Sequence, residues 1–239
     1  MSRECVRNSF YQEWTAEGKL KANMNLTLNE LLSRMANDEE EVYAYVLTTL
    51  KNMNGEFAQC GCGPNFQGGL ITLCTCKYSM RTWRERQDWK GAWIAGFSGI
   101  NLLGDKKSYL FYLMKVSKSF LSHKEIWDDL TYARFAKDAR INPLGDIYEP
   151  RHDIVAQEKE FDFSNYYPPI ETHVHFAKDR WHKDICYQNR FGKRRPTLLV
   201  GDERYSFLWR QPVIYFDGKH PRTKKWKIEE FKKRIKALH

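Results

Sequence analysis

The sequence has no hydrophobic run that could cross a lipid bilayer. Every apolar stretch falls short of the ~20 residues that a membrane-spanning helix requires. Residues 1–14 also lack the apolar stretch that is typical of a signal peptide. We therefore expect a soluble, cytoplasmic protein without a membrane partner.

The motifs that mark the common enzyme classes are missing as well. The chain has no P-loop, no Rossmann glycine fingerprint, no nucleophile elbow and no H-E-x-x-H helix. It also has no internal repeat and no low-complexity tract. The sequence therefore gives no support to these classes, although it does not exclude them.

Positive charge is abundant. The 239 residues include 39 Lys and Arg against 30 Asp and Glu, which gives a formal net charge of +9 at pH 7. Such a surface attracts polyanions, and nucleic acid is the commonest polyanionic partner. Charge alone does not distinguish a nucleic-acid-binding protein from a basic protein without a specific partner.

The order of the elements predicts an α+β fold. The sequence favours strands at residues 42–47, 70–76, 91–97, 108–116, 197–200 and 204–209, and helices over residues 119–137 and 224–239. Thr27 marks the start of a helix within a helical N-terminal segment. Strands and helices do not alternate as a doubly wound sheet requires, so we expect a curved or barrel-like mixed sheet with flanking helices at both termini. The expected domains are a helical appendage at 1–40, an α+β domain at 41–218 and a basic C-terminal helix at 219–239.

Four of the six cysteines lie within seventeen residues, at Cys60, Cys62, Cys74 and Cys76. In a reducing compartment they should be thiols or metal ligands. Four thiolates would suit structural zinc, but zinc sites usually use C-x2-C spacing instead of C-x-C. The spacing therefore favours free cysteines over zinc and leaves any cofactor unknown, with a reactive thiolate beside Lys77 as a further alternative.

A histidine pair, His173 and His175, could serve as acid and base or bind a metal. The period of an extended strand would point both imidazoles in one direction, with Glu171 on the same face. Histidine pairs of this spacing also occur on ordinary strands, so the pattern alone does not distinguish a catalytic or metal site from a structural strand.

Two segments combine cations with other features of nucleic-acid binding. Residues 77–93 alternate cations with aromatic rings, which is the combination that neutralises phosphates while a ring stacks on a base. Residues 189–195 resemble a phosphate-contacting loop, although a solvated charged turn fits equally well. We expect the Lys-rich C-terminal helix to be mostly a solvated face.

Several segments in order resemble the nucleotide modification associated domain family, the second of its series. The similar segments are residues 42–47, 64–69, 72–77 with Arg81, 90–96, 112–116, 145–148 and 198–209. The family's adjacent cysteines correspond to Cys74-Thr75-Cys76 here, and its Gly-Asp-Trp to Gly91-Ala92-Trp93. The resemblance covers roughly residues 42–210.

This resemblance implies an association with systems that modify DNA bases or respond to modified bases, often of phage or antiphage character. Residues 91–116 are also similar to pseudouridine-synthase-associated (PUA-like) barrels, which hold a flipped-out base in an aromatic cage. Our leading hypothesis is a protein that recognises a modified or flipped-out base in DNA. Its candidate contacts are Asn65, Phe66, Lys77, Arg81, Arg84, Trp89, Trp93, Phe97, Ser98, Tyr112, Lys115, Arg190, Lys193, Arg194 and Arg195. We expect about half of the rings Trp89, Trp93, Phe97 and Tyr112 to belong to the core.

Two alternatives remain open. In the first, the protein is an enzyme that acts on a base or nucleotide, with acid, base or nucleophile drawn from His173, His175, Asp146, Cys74 and Cys76. In the second, it is an interaction protein that works through its basic terminal helix.

Overall fold

The computed structural model describes residues 18–35, 39–59, 63–129, 131–140, 145–151, 154, 156–170, 181–190, 194–219 and 221–238. The fold is α+β with a strongly curled mixed sheet and helices near both ends, which confirms the predicted fold class. Within these ranges no helix is long and apolar enough to cross a membrane.

The helices are short. They are α1 (Gly18–Ala22), α2 (Leu28–Arg34), α3 (Tyr78–Arg81), α4 (His123–Asp128), α5 (Ala133–Arg140), α6 (His182–Cys186) and α7 (Ile228–Arg234). The strands are β1 (Glu41–Leu47), β2 (Leu50–Met53), β3 (Glu56–Gln59), β4 (Thr72–Leu73), β5 (Trp93–Ser98), β6 (Ser108–Phe120), β7 (Leu198–Leu208), β8 (Ile214–Phe216), β9 (Lys224–Lys227) and β10 (Ile235–Ala237).

The chain divides into two compact units. Among the described residues, the first unit contains those within 63–90 and 118–200, and the second contains those within 18–59, 91–117 and 201–238. A buried apolar cluster of the first unit includes Leu70, Cys74, Phe120, Ile126, Ala136, Ile147, Leu198 and Val200. The short strand β4 pairs with the start of β7 beside this cluster.

The second unit contains a sheet path in the order β10-β8-β6-β5-β1-β9. β1 and β5 are parallel, with Val42 opposite Trp93 and Leu47 opposite Ser98. The other neighbours on the path are antiparallel. β1 is buried along nearly its whole length, as its β-branched and aromatic residues predict for a strand inside a sheet.

Two predictions from local signals are confirmed. Thr27 caps α2 in a capping box with Glu30. The strands predicted at 91–97 and 108–116 flank a turn-like segment, which favours an antiparallel hairpin, and β5 and β6 form this hairpin. The N-terminal helices pack within the second unit, where Asn25 N–H donates to the Leu208 carbonyl at 2.9 Å and the Trp209 indole donates to the Leu26 carbonyl at 2.8 Å.

The predicted C-terminal helix over 224–239 is wrong. This segment is a strand, a helix of seven residues and a second strand. β9 pairs with β1 and β10 pairs with β8, so the segment occupies both edges of the sheet path. Hydrogen bonding to these edges outweighs the local helical pattern because an unpaired strand edge leaves main-chain groups without partners.

Three further element predictions need correction. The strand expected at 70–76 covers only Thr72 and Leu73, because the chain turns after them. The helix expected at 119–137 is replaced by the end of β6, then α4 and α5, and the Ser122 side chain caps α4. The two strands expected at 197–200 and 204–209 form one strand, β7.

Candidate functional site

Asp146 is a buried carboxylate of the first unit that joins two segments of the chain. Its Oδ1 accepts a hydrogen bond from the Thr72 hydroxyl at 2.6 Å, and its Oδ2 accepts one from the Cys74 main-chain N–H at 2.7 Å. Burial raises the pKa of Asp146 to about 6, while these hydrogen bonds and Arg81 oppose the rise. The structure thus places two of the predicted catalytic residues, Asp146 and Cys74, next to each other.

The thiol of Cys74 is shielded from solvent. Burial raises the pKa of Cys74 well above its usual range, and the neighbouring Asp146 raises it further. Because the thiolate is the reactive form, this environment disfavours Cys74 as a nucleophile. Cys76 is partly buried and Cys186 is exposed, and both are free thiols.

Several predicted site residues lie outside the described residues. These are His173, His175, Lys193 and the cysteines Cys60 and Cys62. Among the residues that are described, no group of three or more His, Cys, Asp and Glu side chains could hold a metal ion. The histidine pair and the four-cysteine zinc alternative therefore stay predictions.

Arg81 is a fully buried cation. Its guanidinium donates to three main-chain carbonyls, those of Cys76 at 2.8 Å, Thr197 at 2.8 Å and Thr75 at 3.1 Å. These bonds hold the turn after β4 against the residues that lead into β7. In this conformation Arg81 is not exposed to a phosphate, so its expected contact with nucleic acid is not available.

The glycine-containing segment at residues 64–69 has Asn65 and Phe66 in the interior. The main chain of Asn65 exchanges hydrogen bonds with Thr72 at 2.8 and 3.1 Å, and its side chain accepts one from the Gln67 N–H at 3.3 Å. Both Asn65 and Phe66 are buried. In this segment Asn65 and Phe66 therefore contact the protein interior and are not exposed to a ligand.

Two further predicted phosphate contacts of the first unit, Lys77 and Arg84, lie nearer the surface. Lys77 is half-buried with a left-handed φ of 59°, and burial lowers its pKa. Arg84 is half-buried, with its guanidinium 5.9 Å from the centre of the Trp89 ring. Both stay candidates for phosphate contact.

The basic loop near residue 190 makes contacts within its own unit. Arg194 forms an ion pair with Glu85 at 2.5 Å, and the Arg195 guanidinium lies 3.7 Å from the centre of the Phe161 ring. Arg190 is exposed. These contacts orient Arg194 and Arg195, and Arg190 stays a candidate for phosphate contact.

The first unit also holds a very small cavity. Its volume is about 10 Å³, and its lining includes Ser122, His123, Asp184 and Arg195. Burial, together with Arg81, lowers the pKa of His123 to about 3, while the main chain of Asp184 opposes the shift. The ring is therefore neutral at pH 7. A cavity of this size has room for about one water molecule and not for a nucleotide.

All four rings that were predicted to stack on a base are buried. Trp89 belongs to the first unit, whereas Trp93, Phe97 and Tyr112 belong to the second. The Trp93 indole lies 6.2 Å from the Phe207 ring at an interplanar angle of 14°, and its N–H donates to Glu40 at 2.5 Å. The expectation that about half of the four would stay outside the core is wrong, because they fill the interior of the fold.

Tyr112 is fixed by two neighbours on β1 and β5. Its hydroxyl lies 2.8 Å from that of Tyr45, and a Cβ on Gly96 would lie 2.2 Å from its ring. Only glycine therefore fits at position 96 beside this ring.

Ser98 and Lys115 also make contacts inside the second unit. The Ser98 hydroxyl accepts from the Tyr109 N–H at 2.9 Å and donates to the Gly99 carbonyl at 3.1 Å. Lys115 forms an ion pair with Glu40, and its ammonium lies 5.8 Å from the centre of the Trp93 ring.

An open groove lies at one edge of the second unit's sheet. Its volume is about 430 Å³. The groove is lined by Thr48, Leu50, Lys51, Asn52, Gly99, Asn101 and Leu102. These residues follow the carboxyl ends of β1 and β5, which meet at the same edge because the two strands are parallel. No sequence motif marks either segment, so the groove was missed by sequence reasoning.

The C-terminal segment that the sequence predicted to be basic carries most of the net charge. Nine cations and two carboxylates fall in residues 219–238, which gives this segment +7 of the chain's net +9. We name residues 219–238 the basic segment.

Comparison with known proteins gives no match to a family model, to a curated protein or to a solved structure. The family resemblance of residues 42–210 therefore gains no support from these comparisons. The curled mixed sheet is compatible with a PUA-like barrel, and this likeness concerns the fold alone.

Proposed function

We propose that this protein associates with nucleic acid and recognises a modified or flipped-out base in DNA, within a phage or antiphage base-modification system. The observation that carries the proposal is the concentration of charge in the basic segment. Outside this segment the chain is nearly neutral, with a net charge of only +2. A compact region of high positive charge is the footprint expected of a surface that binds a polyanion.

The fold turns these cations towards solvent. Trp226, Ile228, Phe231 and Ile235 point into the second unit and are buried, while Lys224, Lys225, Lys227, Lys233, Arg234 and Lys236 are exposed. The buried apolar residues and the exposed cations both lie on β9, α7 and β10 or directly beside them, so their positions are fixed by these elements. A preformed surface of this kind can bind phosphates without first paying the entropy of ordering a flexible tail.

Protection of the sheet edges explains only part of this charge. Lysines on edge strands discourage pairing with other chains, which accounts for those on β9 and for Lys236 on β10. It does not account for Lys219 and Arg222 before β9, or for the cations in the last turn of α7. Some of that last-turn charge complements the helix dipole, but a single cation would suffice for this.

The finer part of the proposal is supported by sequence and fold together. Residues 64–69, 72–77 and 90–96 resemble the nucleotide modification associated family, and the curled mixed sheet is compatible with PUA-like barrels. Both likenesses are to proteins connected with modified or flipped-out bases.

The proposal is tested by measuring DNA binding as a function of salt concentration. A triple variant, Lys219→Ala with Arg222→Ala and Lys233→Ala, removes three exposed cations of the basic segment that edge protection does not explain. The slope of log K against log salt should become shallower by about 0.9 for each lost phosphate contact. The matched control is Lys21→Ala with Lys159→Ala and Lys183→Ala, which removes three exposed lysines from outside the candidate binding segments and should leave the slope unchanged.

Duplexes with plain and modified bases separate the general proposal from the finer one. Tighter binding to the modified duplex would support recognition of a modified base, provided that mass spectrometry shows the nucleosides to be unchanged after incubation. Altered nucleosides would instead show an enzyme. If the wild-type protein bound no DNA at low salt, the whole proposal would be wrong.

A further inference from the structure

We infer that the open groove of the second unit binds a nucleobase, supplied either by a flipped-out nucleotide of DNA or by a free nucleotide. This inference rests on the proposed function and assigns it a base-binding site. It differs from the pocket expected from the sequence, whose aromatic rings are buried in the core.

The strand directions bring three loops to the groove edge. β1 and β5 are parallel, β6 is antiparallel to β5, and β8 is antiparallel to β6. β8 therefore runs in the same direction as β1 and β5. The loops that follow these three strands emerge at one edge of the sheet, and loops on a rigid scaffold are a common place for binding residues.

The size and chemistry of the groove suit a base. A volume of about 430 Å³ lies within the range of about 300 to 1,000 Å³ that is usual for small-molecule sites. Leu50 and Leu102 offer apolar contact, and the amide of Asn101 can both donate to and accept from a base edge. The oxygen of Asn52 accepts from the Gly55 N–H at 3.0 Å, so Asn52 offers its NH₂ group as a donor.

Three exposed apolar residues are sequence neighbours of groove residues. Met53, Ile100 and Leu103 are 40%, 38% and 37% exposed, and each is adjacent in sequence to a residue that lines the groove. A single exposed apolar side chain needs no explanation, but several within two short segments are more typical of a binding surface.

The same edge carries cations that could hold the phosphate of the bound nucleotide. Lys51 lines the groove. β9 is antiparallel to β1, with Lys224 opposite Ala44, so the residues before β9 extend towards the carboxyl end of β1. Lys219 and Arg222, the first two cations of the basic segment, lie in this stretch after β8.

Gly99 provides a direct test. It lines the groove, a Cβ added there would meet no heavy atom within 4 Å, and its φ is not in the left-handed region. Gly99→Trp should therefore fill the groove without strain in the main chain, and Gly99→Ala is the matched control. A second pair is Asn101→Ala, in the groove, and Asn29→Ala, an exposed residue of α2.

The probe is a DNA duplex with 2-aminopurine beside a 5-hydroxymethylcytosine, because 2-aminopurine fluoresces more strongly when its neighbour leaves the stack. The wild-type protein, Gly99→Ala and Asn29→Ala should raise the fluorescence. Gly99→Trp should abolish this rise, and Asn101→Ala should weaken the response about tenfold, the value expected for one good amide pair. The salt slope of overall DNA binding should be the same for all five proteins. Unfolding midpoints confirm that each variant is folded.

The outcomes separate the two proposals. If the wild-type protein binds DNA with a normal salt slope but Gly99→Trp and Asn101→Ala behave like their controls, the groove assignment is wrong and nucleic-acid binding stands. If no protein binds DNA, the proposed function fails. Saturation-transfer NMR with the free deoxynucleoside monophosphates then tests the groove by itself, and absence of a signal from wild-type protein would overturn the inference as well.

Discussion

Gly96 and Tyr112 lie opposite each other on β5 and β6, and a Cβ on Gly96 would approach the Tyr112 ring to 2.2 Å. The ring is fully buried and its hydroxyl lies 2.8 Å from that of Tyr45, so it has no room to move away. The hairpin of β5 and β6 therefore depends on the absence of a side chain at position 96.

Gly96→Ala should lower the free energy of unfolding by about 2 kcal/mol, because the added methyl group overpacks the core. Urea denaturation measures this loss. Gly99→Ala is the control, since its Cβ would meet nothing within 4 Å, and it should unfold like the wild-type protein. Equal stability of the two variants would mean that the Tyr112 ring can move aside at little cost, which would contradict this prediction.

Arg81→Lys should lower the free energy of unfolding by about 2 to 4 kcal/mol. An ammonium cannot reproduce the planar fork that satisfies the carbonyls of Thr75, Cys76 and Thr197, so buried acceptors lose their partners. Arg84→Lys, at a half-buried position, should change the stability little. The structural role of Arg81 would be contradicted if both variants unfolded at the same urea concentration.

Asp146 should make the protein less stable as pH rises from about 4 to about 6. Its pKa is about 6 in the folded protein and 3.8 in the unfolded reference, so the folded state holds the proton more tightly. The contribution of Asp146 to the free energy of unfolding is fully present below its pKa in the unfolded chain. It is lost as pH rises through its pKa in the folded protein, and the total loss is about 3 kcal/mol. Unfolding curves of wild type and Asp146→Asn from pH 4 to pH 7 isolate this effect, because other groups cancel in the comparison. The wild-type protein should lose stability relative to the variant; a constant difference would contradict the shift.

Cys74 and Cys186 should differ strongly in alkylation by iodoacetamide. Cys186 is exposed, whereas Cys74 is buried and its pKa is raised, so it should react only when the chain opens. Peptide mass spectrometry after a timed reaction gives the rate at each thiol, with urea-unfolded protein as the control in which the two rates converge. Rapid labelling of Cys74 in the folded protein would indicate that the turn after β4 opens readily.

Features with local signals could be predicted from the sequence. Thr27 and Glu30 specify a helix start by themselves, and the apolar residues of β5 and β6 flank a turn-rich loop. The mixed α+β class followed from the order of such elements. In contrast, β9 and β10 exist because they pair with strands at Glu41 and Ile214, and no local pattern contains that information.

The candidate site also depends on strand pairing that the local sequence does not specify. The groove brings residues 48–52 together with 99–102 only because β1 and β5 are parallel, a relationship that their sequences do not specify. The aromatic rings that were predicted to stack on a base were easy to find in the sequence, but their role was ambiguous because such a ring fills a core equally well. Burial decided that ambiguity at Trp93, Phe97 and Tyr112.

The pairing of β9 with β1 and of β10 with β8 also bears on how the chain is made and manipulated. During synthesis residues 41–47 leave the ribosome long before their partners at 224–227, so both sheet edges stay open until residues 224–237 have emerged. A truncated protein would resemble this late nascent chain, with two unpaired edges available for aggregation. Deletion of residues 219–238 would therefore remove the charge and both edge strands together, whereas substitution of Lys219, Arg222 or Lys233 removes charge and leaves both edge strands in place.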